Sequence, residues 1–198
     1  MARKSVAVEK RIQIVKAFCD CMVELGLDAA TMGEVASRVG IDRSTMHYYY
    51  KTRESLVADV AKHIAQSYID RMMAAIERLN PEDRARSLVE FLFGPTFHDE
   101  RQSILLDELG TLGNRQPFFF EQLRSVYLAV DTVIMGVFKE SYPHMPERER
   151  TDLVYALLAM VEGSTVQMSL GFGKSRRLAA RKLALKLLDE NFTSKSHK

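Results

Sequence analysis

The 198-residue sequence contains no long hydrophobic run and only two cysteines. Its longest apolar stretch, Leu153 to Val161, is about half as long as a helix that spans a bilayer, and the N-terminus lacks the apolar core of a signal peptide. Cys19 and Cys21 lie two residues apart on a predicted helix, so their side chains point in different directions and cannot easily form a bridge; we expect reduced packing residues. With 46% apolar residues, the sequence predicts a globular, cytoplasmic protein.

Signatures of catalytic and metal sites are also missing. The five histidines show no metal-ligand spacing such as H-E-x-x-H, and neither G-x-S-x-G nor a phosphate-binding glycine loop occurs. We therefore predict a protein that is not an enzyme, with no catalytic residues, no metal and no cofactor. Only a Ser/His/Asp cluster that forms in space would escape this reasoning.

Charge gives a weak indication of nucleic-acid binding. The net charge of the whole chain is +2, which does not by itself predict a nucleic-acid partner. Residues 1–53 carry nine basic and six acidic side chains, a net charge of +3. This modest excess is consistent with contacts to phosphate groups.

The most informative stretch is TMGEVASRVGIDRSTMHYYYKTRESL, residues 31–56. Thr31 is a suitable N-cap, and Glu34, three residues later, completes a capping box. Gly40 marks a tight turn because glycine adopts the left-handed conformation without strain, and Asp42 can cap a second helix, RSTMHYY. Two short helices joined by a glycine-containing turn form the helix-turn-helix pattern.

These residues resemble the N-terminal domain of the tetracycline-repressor (TetR) family of transcriptional regulators. The matching residues are Ile14, Ala17, Gly26, Thr31, Val35, Ala36, Gly40, Ile41, Thr45, Met46, Tyr48, Tyr49, Glu54 and Leu56. The sequence departs from the usual pattern at four positions. His47 replaces a common Tyr, Asp42 a Ser, Tyr50 a Phe and Arg53 a Lys.

The second helix of a helix-turn-helix presents its N-terminal part to base edges in the major groove. The base-reading candidates are therefore Arg43, Ser44, Thr45 and Tyr48. An arginine can bind guanine in a bidentate manner, and a threonine offers a hydroxyl or a methyl group. The candidates for phosphate contacts are Thr31, His47, Tyr49, Lys51 and Arg53. A solvated helix face stays open as the alternative for Arg43 and Thr45, and a packing role stays open for Tyr49.

No segment shows sustained alternation of apolar and polar residues, so the sequence predicts an all-α fold with about nine helices. We divide it into a three-helix DNA-binding domain, residues 1–53, and a ligand-binding and dimerisation domain, residues 54–198. A long helix from about Arg53 to Leu79 joins the two, and Asn80 and Pro81 start the next helix. The family resemblance implies that the long helix transmits a ligand signal; the alternative is a simple connector.

The C-terminal part is rich in Phe, Met and Leu, which is typical of an apolar ligand pocket and also of an ordinary core. Asp131 is the most suggestive residue, because it shares a predicted helix face with Tyr127 and Met135, where a buried carboxylate needs a partner. It could orient a cationic or hydroxylated ligand, pair with an arginine or face water. The ligand-binding candidates are Phe93, Phe97, Tyr127, Asp131, Met135, Tyr155 and Glu162.

The last predicted helix carries apolar residues on two sides. We assign Leu178, Leu185, Leu188 and Phe192 to one side, and Ala180, Leu183, Ala184 and Leu187 to roughly the opposite side. One side can pack on its own domain and the other needs a partner, so the last two helices predict a two-fold homodimer interface. A two-fold dimer binds a pseudo-palindromic DNA site.

Together these features predict a homodimeric, ligand-responsive transcriptional regulator that binds a double-stranded DNA operator. The family resemblance alone implies that it is a repressor. A small, largely apolar or amphipathic effector would release the operator by preferring a conformation whose recognition helices are badly spaced. The alternative is a DNA-binding architectural or interaction protein that has no small-molecule effector.

Overall fold

The computed structural model describes residues 2–78, 83–95, 97 and 99–193, with side chains described from residue 6 to residue 190 within these ranges. Nine helices and no strand occur there, which confirms the predicted all-α fold. The helices are α1 Ala2–Leu25, α2 Met32–Val39, α3 Arg43–Tyr49, α4 Arg53–Ile76, α5 Arg84–Leu92, α6 Glu100–Gly113, α7 Pro117–Ser141, α8 Glu147–Ser169 and α9 Lys174–Thr193. The predictions for Leu79, Asn80, Pro81 and the side chain of Phe192 lie outside the described residues.

The chain forms two compact units. Unit 1 contains residues 1–67 and 100–129, and unit 2 contains residues 68–99 and 130–198. Unit 1 therefore includes α1 to α3, α6 and parts of α4 and α7. The boundary that we placed between residues 53 and 54 stays a prediction. Among the described helices, none combines the length and hydropathy needed to cross a bilayer.

The helix-turn-helix pair is α2 and α3, and α2 is bounded as its sequence predicts. Thr31 Oγ1 accepts a hydrogen bond from the Glu34 N–H at 3.1 Å, and Gly40 ends the helix in the left-handed region, with φ +68°. The second half of the predicted capping box is wrong. The Thr31 N–H donates to Ala29 O, and Glu34 Oε1 accepts from Arg38 Nε.

Buried apolar side chains from α1, α3 and α4 form the core of unit 1. They include Ile14, Val15, Phe18, Met22, Met46, Leu56, Val57, Val60 and Ile64. Cys19 and Cys21 are free and buried in this core, as predicted, and burial raises the pKa of the Cys19 thiol to about 12. Both cysteines are thus packing residues rather than reactive thiolates.

The loop between α1 and α2 is fixed from two sides by charged residues of unit 1. Leu27 in this loop is fully buried. Its N–H donates to Glu108 Oε2 of α6 at 2.6 Å, and its carbonyl accepts from Arg53 Nη2 of α4. A second contact between α6 and α1 joins Arg101 to Asp20. The helix-turn-helix pair is therefore attached to α4 and α6 through specific polar contacts as well as packing.

A buried arginine holds three helices of unit 2 together. Arg177 of α9 is only 7% exposed. Its Nε donates to Phe93 O at 2.7 Å, its Nη2 to Leu92 O at 3.1 Å and its Nη1 to Thr165 Oγ1 at 3.3 Å. Burial lowers the pKa of Arg177, and the negative charge of Glu162 opposes this shift. Arg177 thus satisfies carbonyl groups at the C-terminal end of α5.

The buried side of α9 differs from the prediction. Ala184 and Leu188 are both buried, whereas Leu178, Leu183 and Leu187 are exposed. Placing Ala184 and Leu188 on opposite sides was wrong, because residues four apart in a helix lie on the same face. The three exposed leucines still leave apolar surface on α9 that this chain does not cover.

Candidate nucleic-acid interface

Helix α3 presents an exposed polar face above one buried residue. Met46 is 1% exposed and fixes the helix to the core of unit 1. Arg43, Ser44, His47 and Tyr48 are exposed. Arg43 and His47 are one turn apart, as are Ser44 and Tyr48, so the four side chains form one continuous face. We call these four residues the α3 face.

Asp42 fixes the N-terminal end of α3. Its Oδ1 accepts from the Thr45 N–H at 2.8 Å and from Ser44 Oγ at 2.6 Å, and its Oδ2 accepts from Thr45 Oγ1 at 3.0 Å. These bonds, led by the one from Ser44, lower the pKa of Asp42 to about 2. A lowered carboxyl pKa means that the capping network stabilises the fold above the ordinary pKa of about 4 and loses this effect as the pH falls through about 2. The cap is therefore intact at neutral pH.

Arg11 fixes the C-terminal end of α3. Its Nη2 donates to Tyr49 O at 2.9 Å, and its guanidinium lies 4.9 Å from the centre of the Tyr50 ring. Tyr50 is 2% exposed and donates its hydroxyl to Asp59 Oδ2 at 3.0 Å. Half-buried Tyr49 packs edge-on against the Tyr48 ring. Arg11 is not among the residues predicted from the sequence, because its contact joins residues 38 positions apart and no local motif indicates it.

Two glutamates near this interface are paired with one arginine. Arg38 binds both Glu24, at 2.8 Å, and Glu34, at 3.2 Å. An ion pair reduces the repulsion that a free carboxylate would exert on DNA phosphates. Because Glu24 and Glu34 are paired, the α1–α2 region can approach a polyanion such as DNA although both side chains are partly exposed.

The candidates for phosphate contacts differ in how accessible they are. Thr31, His47 and Lys51 are exposed. Arg53 is half-buried: it donates to Leu27 O, and its guanidinium lies 5.8 Å from the centre of the Phe119 ring. Its Nε is buried and has no hydrogen-bond partner within the part of the chain that the structure describes. The phosphate contact of Arg53 stays a prediction, and the structure gives this residue a packing and capping role.

One of the predicted ligand-binding residues, Phe97, lies in an aromatic cluster of unit 2. Phe93 and Phe97 are buried. The Phe97 ring lies 5.5 Å from the Tyr68 ring and 5.7 Å from the Phe91 ring, and the Arg71 guanidinium lies 4.9 Å from the Tyr68 ring centre. This cluster offers aromatic faces of the kind that bind apolar or cationic groups.

The other ligand-binding candidates lie on α7 and α8. Tyr127, Asp131 and Met135 follow one another at one-turn intervals on α7; Tyr127 is 45% exposed, and the other two are half-buried. Tyr155 is 74% exposed and Glu162 is exposed, and they share the outer side of α8. All seven ligand-binding assignments stay predictions. Among the residues that the structure describes, no three His, Cys, Asp or Glu side chains are grouped to hold a metal ion.

Comparison with known proteins identifies related regulators. A family model for bacterial regulatory proteins of the tetR family matches residues 14–60. The HTH-type transcriptional regulator BetI of Escherichia coli is 18% identical over 165 residues, which cover 81% of this chain and 83% of that protein. A TetR transcription regulator from Haloarcula marismortui has a similar structure, with a TM-score of 0.74 and 19% identity over 92% of this chain and 98% of that one. A transcriptional regulator from Saccharomonospora viridis, solved in complex with choline, has a TM-score of 0.69 and 17% identity over 93% of this chain and 97% of that one.

The role of Arg53 can be tested against its exposed neighbour. Arg53→Ala is expected to lower the free energy of unfolding by about 1–3 kcal/mol, because the buried Leu27 carbonyl loses its charged donor. Lys51→Ala removes the same charge from an exposed side chain and is expected to stay within about 0.5 kcal/mol of the unchanged protein. Denaturant unfolding measures both. Equal effects of the two substitutions would contradict the packing role of Arg53.

Proposed function

As a member of the tetracycline-repressor family, the chain is a transcriptional regulator, and we propose that it represses transcription by binding a pseudo-palindromic operator as a homodimer. A small, amphipathic effector releases it from this operator. The observation that carries the proposal is the α3 face, which is exposed and polar while Asp42 and Arg11 fix the two ends of its helix. A rigid helix with exposed polar side chains is what major-groove recognition requires.

Each side chain of the interface has a distinct role in the proposal. Arg43, the first residue of α3, reads a guanine through its two parallel donors. Thr31, His47 and Lys51 contact phosphates and set the register of the helix on the duplex. Tyr49 and Arg53 support the helix from behind. These assignments separate sequence preference from general affinity.

Arg43 and Lys51 provide the test of DNA recognition. Operators are first selected from random duplexes with the unchanged protein, and variants are then titrated in gel-shift experiments at several salt concentrations. Arg43→Ala is expected to lower discrimination at one base pair of each half-site by about 1–3 kcal/mol. Lys51→Ala is expected to weaken binding to all duplexes alike. The slope of log K against log salt concentration is expected to become shallower by about 0.9 for each phosphate that the variant no longer neutralises. Failure of the unchanged protein to prefer any duplex would overturn the proposal.

The contacts of Asp42 determine what Ser44 and Thr45 can recognise. An ionised carboxylate only accepts hydrogen bonds, so both hydroxyl protons are donated to Asp42. Each hydroxyl has a single proton, and its oxygen therefore presents only lone pairs to DNA. In the major groove, the matching donors are the amino groups of adenine and cytosine. We infer that Ser44 and Thr45 favour these two bases.

Asp42→Asn tests this inference while it keeps an N-capping residue. The new amide donates to one of the two hydroxyl oxygens and thereby frees a hydroxyl proton to donate to DNA. Selection from the same random library is expected to shift the preference at one position from adenine or cytosine towards guanine or thymine. Identical preferences of the two proteins would refute the role of Asp42, even where both bind DNA tightly.

The proposed dimer forms through the outer sides of α8 and α9 in unit 2. Exposed apolar residues lie on both helices and directly after α8, namely Tyr155, Val166, Leu170, Leu178, Leu183 and Leu187. Gly163 lies among them on α8, and a Cβ added there would meet no atom within 4 Å, so a partner helix can approach its backbone. Such a patch of apolar side chains is typical of a surface that another protein covers.

A charge placed on this surface is expected to separate the protomers. Val166→Glu with Leu183→Glu buries two carboxylates per protomer in the proposed interface, where unpaired charges are strongly unfavourable. Light scattering after gel filtration is expected to give the mass of one chain for this variant and of two chains for the unchanged protein. Ile12→Glu, at an exposed apolar residue of α1, is the control and is expected to stay dimeric. A monomeric unchanged protein would rule out the proposed dimer.

The effector part of the proposal is supported by unit 2. Its aromatic cluster around Phe97 offers ring faces to an apolar or cationic group, and the Saccharomonospora viridis regulator of similar fold contains choline. Quaternary ammonium groups bind over such rings. Release of the selected operator by choline or a related amphipathic cation tests this part of the proposal, and an architectural protein would show no release.

A further inference from the structure

A pocket of about 500 Å³ lies where the end of α7 meets the start of α8. The residues that line it all belong to unit 2, and they are Gly136, Lys139, Glu140, Pro143, Met145 and Arg150. Its volume is in the range of pockets that bind small molecules. None of these residues belongs to the DNA-binding, effector or dimer assignments above.

Arg150 is the unusual residue of this pocket. It is only 7% exposed, and its Nη1 donates to Met145 O at 3.1 Å. Its Nε is buried and has no hydrogen-bond partner among the described residues. A guanidinium has five N–H donors, and burying it without acceptors is unfavourable. The pocket is therefore lined by a buried guanidinium, one of whose donors, Nε, has no acceptor among the described residues.

The other charges around the pocket leave an excess of positive charge. Lys139 is exposed in the last turn of α7. Among the described residues that line the pocket, Glu140 is the acidic one; its side chain is 73% exposed and lies 3.7 Å from Arg84. Glu147 and Glu149 at the start of α8 are exposed and do not line the pocket. The charges that line the pocket therefore favour a partner for Arg150 that carries hydrogen-bond acceptors and negative charge.

We propose that this pocket binds a small molecule through an oxyanion group, a carboxylate or a phosphate, which Arg150 and Lys139 hold. The planar fork of an arginine donates two parallel hydrogen bonds to such a group. The apolar walls from Met145 and Pro143 contact the rest of the molecule. Binding to this site is measured on the protein without DNA, so the test does not depend on the proposed DNA-binding function.

Calorimetric titration of the full chain with inorganic phosphate and with malonate, each against chloride at equal ionic strength, tests the proposal. We expect one of the two oxyanions to bind about tenfold more tightly than chloride, and the better of the two assigns the phosphate or the carboxylate class. Arg150→Gln is expected to weaken this binding by about tenfold or more. Arg148→Gln removes the same charge from an exposed position two residues earlier and is expected to bind within about twofold of the unchanged protein.

A second variant tests the pocket without removing the buried charge. A Cβ added at Gly136 meets no atom within 4 Å, so Gly136→Met fills open space at the pocket wall. Methionine also favours the helical state of α7 more than glycine does, and this variant is expected to fold normally. It is expected to lose oxyanion binding by about tenfold. The proposal is overturned when the unchanged protein binds neither oxyanion more tightly than chloride. It is also overturned when Gly136→Met and a folded Arg150→Gln bind the oxyanion as tightly as the unchanged protein does.

Discussion

The placement of the helix-turn-helix pair depends on the backbone of one buried residue, Leu27. Leu27 has no exposed surface, and both of its backbone polar groups bond to ionised side chains, Glu108 for the N–H and Arg53 for the carbonyl. Hydrogen bonds to charged groups contribute about 1.5–3 kcal/mol each. A buried loop of this kind is stable only when its backbone groups find partners. The loop before α2 therefore cannot move without α4 and α6, and the position of the helix-turn-helix follows theirs.

Once this loop is fixed, α3 needs only its two ends to be held. Asp42 and Arg11 satisfy opposite ends of a helix of seven residues, which is too short to be stable by itself. The same contacts affect recognition, because the carboxylate of Asp42 takes the protons of two side chains that face DNA in the proposal. Stability and base preference are thus coupled through one residue.

The sequence predicted those features that local chemistry determines. Thr31, Gly40 and Asp42 mark helix ends through their own side chains or backbone freedom, and the structure places helix ends there. Long-range contacts leave no such signal. Glu108 and Leu27 are 81 residues apart, and Arg177 and Phe93 are 84 residues apart, so neither contact could be predicted from spacing. The sequence could also not show that Arg53, which matches a family position, points into unit 1.

Arg177 and Arg150, two buried arginines of unit 2, differ in how many hydrogen-bond acceptors surround them. Arg177 donates to two carbonyls and a hydroxyl. The chain itself therefore supplies acceptors for this buried guanidinium. Arg150 is equally buried, but among the described residues it donates to a single carbonyl, and its Nε has no partner there. Burial removes the hydration that would otherwise compensate for missing acceptors. An apolar residue of similar length would fill the position of Arg150 without this penalty, so packing alone does not account for the charge. In the proposal, a bound anion would supply both the acceptors and the opposite charge.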